Sequence, residues 1–303
     1  MSRTPGWNST DIADQSGRTF VVTGANAGIG LATTEALAAR GARVIMACRN
    51  LEKAAASRDS LPAAARDRTE VRRLDLADLD SVREFVDSTD EKIDVLVNNA
   101  GLMNIPWART AQGHEMQFGV NVLGHHALTL GLHRRLTDRV VWLGSLAHLW
   151  GRIRPDDLSM DLRGYRPLAA YGHSKLACIM LAYEWQRRFR SAGEDLRSYG
   201  AHPGYTATEL IRQSGRNGVD RFMALGNAIP GVGQTAAMGA LPTLFAATVR
   251  DLPGGTFVGP RALGGLKGYP AVVSSTRRSH DPAAAAKLFD RCTEMVEFAR
   301  PVP

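Results

Sequence analysis

The sequence predicts an α/β fold, a doubly wound parallel sheet of about seven strands with helices on both faces. Three observations lead there. β-rich runs recur with helical stretches between them, a glycine-rich turn follows the first run, and the runs end in small or polar residues. Strands that alternate with helices build parallel sheets, because each parallel crossover needs a covering helix. At 303 residues, with 44% hydrophobic and 22% charged residues, the chain can bury a full core. Residues 1–303 read as one domain, with residues 1–17 as an N-terminal extension.

The first element is "TFVVTG" (Thr19–Gly24), a β-rich run ending in glycine as a buried parallel strand does. "TGANAGIG" then places Gly24, Gly28 and Gly30 around Asn26 and Ile29. Such a turn is tight enough for backbone N–H groups to point at a pyrophosphate beside a helix N-terminus. A glycine triplet alone is weak, but here "LATTEALAARGARVIMAC" supplies the helix, a stop at Gly41 and a second strand at Arg43–Cys48. The pattern is Rossmann-type.

The second strand runs into "MACRN". Many NAD-binding folds place an acid here to accept from the ribose 2′-OH. Arg49 stands there instead, with Lys53 one turn into the next helix, and two cations suit the extra phosphate of NADP better than NAD. The plainer alternative is a pair of solvated surface charges. "TEVRRLDL" (Thr69–Leu76) ends in Asp75 and Leu76, "KIDVLVNNAG" in Asn98, Asn99, Ala100 and Gly101, and "DRVVWLGS" (Asp138–Ser145) in a serine. Polar residues at successive strand ends line the ligand crevice of an open parallel sheet, although asparagines are also good turn formers.

The net charge of +7 suits an anionic partner. Its distribution argues against nucleic acid, since the basic residues come in scattered pairs such as Arg72-Arg73 and Arg277-Arg278, without a basic run or a binding motif. Cys48, Cys178 and Cys292 form no metal-ligand pattern, and His125, His126 and His133 lack an acidic cluster, so no metal is expected. No apolar leader or membrane span is visible, and a cytoplasmic location is expected.

"TGANAGIG", "NNAG", Ser145, "YGHSK" and "HPGYTAT" occur in that order over roughly residues 18–210. Together they resemble the short-chain dehydrogenases/reductases. "ACRN…K", "DLxxLxSV" near residues 75–82 and "YGHSKLA" look most like the retinol-dehydrogenase-type oxidoreductases and their bacterial relatives. The resemblance implies a catalytic tetrad of Asn121, Ser145, Tyr171 and Lys175. Tyr171 would be the general acid in carbonyl reduction and the base in alcohol oxidation. Lys175, one helical turn away, would hold the nicotinamide ribose and favour the phenolate. Ser145 would bond the substrate oxygen, and Asn121 would hold a water chain reaching Lys175. Pro203, Gly204, Thr206 and Thr208 would fold over the nicotinamide carboxamide.

Ser145 and Tyr171 lie 26 residues apart, a long spacing, so His148–Pro167 reads as a loop insertion beside the substrate mouth. Residues 211–228 read as a substrate lid, "GGTFVGP" as a short final strand, and Asp281–Ala299 as an exposed terminal helix. Trp107, Leu149, Trp150, Phe222 and Met223 point to a lipophilic carbonyl or alcohol as substrate, or to ordinary packing. The expected assembly is a homodimer or homotetramer. The alternative function is an NADP-sensing regulatory protein, which would keep the phosphate turn but not need all four tetrad residues.

Overall fold

The computed structural model describes residues 6–154, 158, 164–206 and 233–296. Strands and helices alternate through β1 (Thr19–Thr23), α1 (Gly28–Ala38), β2 (Arg43–Cys48), α2 (Leu51–Asp59), β3 (Thr69–Arg73), α3 (Leu79–Asp87) and β4 (Ile93–Asn98). The chain continues through α4 (His125–Leu132), β5 (Leu136–Leu143), α5 (Pro167–Ser191), β6 (Arg197–Ala201), α6 (Ala236–Thr248), β7 (Phe257–Ala262), β8 (Lys267–Val272) and α7 (Pro282–Val296). The eight strands form one sheet in the order β3-β2-β1-β4-β5-β6-β7-β8. All neighbours run parallel except β7 and β8. The order reverses at β1, which pairs with β2 on one side and β4 on the other, and connections leaving a sheet in opposite directions at such a point open a crevice.

Strand periodicity divides the core in two. Val21, Ile45, Leu96, Val140 and Trp142 face one layer, which α3, α4, α5 and α7 cover. Phe20, Val22, Val44, Met46, Val95, Val97 and Val141 face the other, under α1, α2 and α6. Successive side chains point to opposite faces, so runs that are apolar throughout are what a sheet covered on both sides requires.

Two expectations about the last third change. "GGTFVGP" gives β7, but β8 follows it antiparallel on the sheet edge, so the sheet has eight strands rather than about seven. Gly268 and Pro270 hide β8 from a sequence reading, yet proline is tolerated on an edge strand because one side of the ladder needs no donor. The terminal helix is not simply exposed, since Ala285, Leu288, Phe289, Cys292 and Val296 are buried at helical spacing against the α5 layer. The lid at 211–228, with Phe222 and Met223, and most of residues 155–163 lie outside the described residues. Within the N-terminal extension, Trp7 stacks edge-on against Phe245, Ile12 is buried, and Asn8 caps a short helical turn. No helix among the described residues is long and apolar enough to cross a membrane.

The histidines on α4 are interior groups. Burial lowers the pKa of His125 and of His126 to about 3, and that of His202 to about 4. Because each folded-state value lies below the unfolded value near 6.5, the unfolded chain binds more protons as the pH falls through that window. Stability present above pH 6.5 is therefore lost progressively down to about pH 3–4. We predict that urea unfolding at pH 5 gives a lower stability than at pH 7, by up to about 1.4 kcal/mol per pH unit for each histidine. His126→Phe, which fills the space between Trp185 and Phe289 without titrating, should reduce that difference. Equal stability at the two pH values would refute the assignment.

Candidate active site

The crevice at the β1 switch point is a cleft of about 370 Å³. Gly24, Asn26, Gly28, Ile29 and Gly30 form one wall, with Arg49, Asn50 and Lys53 on the β2 side. Asp75 and Leu76, Ala100 and Gly101, Tyr171 and Lys175, and Pro203 also line it. These residues come from the ends of five strands and one face of α5.

Two glycines are required by this packing. Gly24 has φ of +63°, and a Cβ there would stand 3.0 Å from the Ala100 Cα. A Cβ on Gly30 would come within 2.6 Å of Asn99 Nδ2 and closer still to the Gly24 carbonyl oxygen. The turn can therefore close down only on glycine, which leaves its backbone facing the cleft. α1 begins within it, at Gly28, and its N-cap, Ala27, supplies no side-chain acceptor. The first helical N–H groups thus lack a side-chain cap, and with the helix dipole they suit a phosphate. This donor set fits the pyrophosphate of a dinucleotide. Arg49 and Lys53 are both exposed at the cleft edge, where they fit a further phosphate.

Tyr171 and Lys175 occupy the second and third turns of α5, which starts at Pro167, a residue suited to a first helical position. The Lys175 Nζ lies 5.8 Å from the Tyr171 ring centre and donates to the Leu143 carbonyl at 2.9 Å. That bond ties the lysine to the end of β5. Tyr171 packs on Met103 and Ala147, so the turn carrying Ser145 touches its ring. Ser145 is half-buried and caps the turn Leu146–Leu149, its Oγ accepting from Ala147 N–H at 3.2 Å.

Asn121 lies behind the lining, fully buried in a π-helical turn, Gly119–Gly124. Its Oδ1 accepts from Leu102 N–H at 2.7 Å. Its Nδ2 donates to the Leu102 carbonyl at 3.0 Å and to Ser174 Oγ at 2.9 Å. Gly101 separates it from Lys175, since a Cβ there would stand 3.2 Å from Asn121 Oδ1 and 3.4 Å from Lys175 Nζ.

Asn98 and Asn99 divide their roles differently from the expectation. Asn98 is the last strand residue, and alternation turns its side chain into the core, where Nδ2 donates to Thr129 Oγ1 at 3.0 Å. Asn99 lines the cleft instead, and its Nδ2 donates to the Thr23 carbonyl at 2.7 Å. Gly204 and Thr206 sit beside the lining rather than in it. Gly204 has φ of +69°, Thr206 Oγ1 donates to the Pro203 carbonyl at 3.0 Å, and Thr206 bridges to Gln234. Thr208 lies outside the described residues. Sequence reading missed Asn50, Leu102, Val120, Leu143 and Gly144 as lining residues. Each lies within two residues of a motif residue, and nearness to Arg49, Gly101, Asn121 or Ser145 is the signal that could have found them.

A family model described as short chain dehydrogenase matches residues 18–149. Retinol dehydrogenase 13 of Homo sapiens is 44% identical over 67% of this chain and 63% of its own length, and that of Mus musculus is 40% identical over 78% and 73%. The chain thus spans under two thirds of the human relative. An uncharacterized protein of Mycobacterium paratuberculosis, known from its crystal structure, is 42% identical, with a TM-score of 0.84 over 98% of this chain and all of its own. A Beutenbergia cavernae protein, described as a candidate NAD(P)-dependent gluconate 5-dehydrogenase and crystallised with NADP at low occupancy, is 26% identical. Its TM-score is 0.56 over 78% of this chain and 91% of its own.

Gly30→Ala is expected to cost about 1–3 kcal/mol of stability, as overpacking against rigid backbone does. Gly164→Ala, where a Cβ would meet nothing within 4 Å, should change stability by no more than about 0.5 kcal/mol. Urea denaturation of both variants checks the pair, and equal effects would show that the turn has room to spare.

Proposed function

Because the chain belongs to the short-chain dehydrogenase/reductase superfamily, we propose that it is an NADP-dependent oxidoreductase that interconverts a carbonyl and an alcohol on a lipophilic small molecule. The observation that carries this reading is the meeting of Tyr171 and Lys175 with the Gly24–Gly30 turn in one cleft. A bound nicotinamide dinucleotide would supply or accept the hydride. Everything else falls to the chain's own side chains.

In the reductive direction Tyr171 gives its phenolic proton to the carbonyl oxygen as the carbon receives hydride, and the product is the alcohol. In oxidation the phenolate takes that proton back. General acid–base help of this kind contributes about 10²–10⁴-fold. Lys175 is buried and fixed by the Leu143 carbonyl, so its charge stands beside the phenol in a site largely shielded from water. Ser145 bonds the substrate oxygen in this reading, and the Met103, Ala147 and Tyr171 cluster supplies an apolar wall. The retinol dehydrogenases named among the relatives support a lipophilic alcohol or aldehyde as the substrate class. On the sequence reading we also assign the protein to the cytoplasm, as a homodimer or homotetramer.

Arg49 and Lys53 support NADP over NAD. A charge-assisted contact is worth about 1.5–3 kcal/mol, so a preference of tenfold or more is expected. Titration of the protein with NADPH and NADH measures it, and an Arg49→Ala variant with unchanged preference would remove the assignment.

Tyr171→Phe keeps the ring packed and removes only the hydroxyl. NADPH binding should persist while single-turnover hydride transfer to a carbonyl substrate falls at least ~10²-fold. Lys175→Ala should weaken both. Near-normal transfer in folded Tyr171→Phe would reject Tyr171 as proton donor, and NADPH binding without turnover of any carbonyl or alcohol would point to a sensor instead.

A further inference from the structure

Behind the cleft, a chain of hydrogen bonds joins the cofactor wall to the catalytic helix through His125. This imidazole is 1% exposed at the start of α4. Its Nδ1 lies 3.0 Å from the Asn121 carbonyl oxygen and its Nε2 lies 2.8 Å from Thr23 Oγ1. A carbonyl can only accept, so Nδ1 carries the proton. Neutral imidazole then leaves Nε2 as an acceptor, and the Thr23 hydroxyl must donate to it. The other acceptor near Thr23 is the Val97 carbonyl at 3.4 Å, too long to compete.

The arrangement is saturated at both ends. Thr23 Oγ1 accepts from the N–H groups of Asn99 and Ala100, each at 2.9 Å, and so pins the turn that forms one side of the cleft. Asn121 continues the chain through Ser174, whose Oγ accepts from it at 2.9 Å and donates to the Tyr171 carbonyl at 2.8 Å. Asn121 lies in the π turn, and its carbonyl accepts from side-chain donors. Cys178 Sγ is the second of these, at 3.3 Å. Burial holds the imidazole neutral, and the Lys175 charge also opposes its protonation.

We propose that His125 is a positioning residue which, as the Nδ1–H tautomer, fastens the Asn121 main chain to the Thr23 hydroxyl and so fixes the spacing between the cofactor turn and Tyr171. The inference rests on the oxidoreductase reading for its kinetic consequence, but not for its geometry. His125→Leu fills the site and severs both arms, whereas His125→Asn retains a donor near the Nδ1 position and severs only the Thr23 arm.

The test measures NADPH affinity by fluorescence, single-turnover hydride transfer to a carbonyl that the wild type reduces, and the imidazole ¹⁵N spectrum. His125→Leu, which removes two hydrogen bonds, should slow transfer about tenfold or more, with NADPH affinity within about threefold. His125→Asn, which keeps the Asn121 arm but breaks the link to Thr23, should be slowed nearly as much, and a wild-type rate in it would overturn the fastening role. The wild-type spectrum should show a slowly exchanging Nδ1–H and an unprotonated Nε2 at neutral pH, and Thr23→Val should shift only the Nε2 signal. An Nε2–H tautomer, or a His125→Leu rate equal to wild type, would overturn the proposal. If the wild type reduces no carbonyl, the oxidoreductase reading fails, and the imidazole spectrum alone then decides the role of His125.

Discussion

The parallel pairing of β1 on both of its edges is the constraint from which the site follows. Pairing with β2 from Thr19 to Thr23 and with β4 from Phe20 to Val22 brings three strand ends to one edge of the sheet. The chain must leave β2 and β4 in opposite directions, so no covering element crosses the gap between their ends. Gly24 and the Asn99–Gly101 segment meet across that gap with no room for an extra carbon. The tightness of the turn and the openness of the cleft are two results of one register.

Much of the fold was legible because both-face burial leaves an unambiguous trace. "FVV", "VIMAC" and "VLV" are apolar at every position, which neither a half-exposed strand nor a short amphipathic helix requires. β8 was not legible, because an edge strand carrying Gly268 and Pro270 reads as a turn. The buried face of α7 was legible but passed over: Ala285, Leu288, Phe289, Cys292 and Val296 keep helical spacing, while the charged residues between them dominate the composition. At the site, motif residues announced themselves by type and order. The exchange between Asn98 and Asn99 did not, since two identical neighbours differ only in which face of the strand end they meet.

The polar groups near the cleft also divide by environment. Arg49 and Lys53 stand at its exposed edge, where charge is cheap to keep solvated. Lys175 is the buried cation, and it is held by a main-chain carbonyl rather than by a carboxylate. A carboxylate partner would neutralise the charge locally, whereas a carbonyl satisfies a donor and leaves the charge uncancelled. His125, near enough to feel that charge, is held neutral by burial, so it adds no second buried cation beside Lys175.

α5 runs for 25 residues with Tyr171 and Lys175 close to its beginning. Its far end is tied down separately, where Glu184 holds Arg187 and Arg188, and Arg188 reaches Asp290 on α7 and lies over the Phe289 ring. From Arg188 back to Tyr171 the helix rises about 25 Å. The near end is anchored as well, through Lys175 on the Leu143 carbonyl and Ser174 on Asn121, so the helix is a strut held at both ends. Over such a length a tilt of only about 2° would carry one end through roughly 1 Å relative to the other, so the two anchorages must agree in position. One rod thus spans the molecule from the cleft wall to the outer helix layer, and its two ends report on each other's placement.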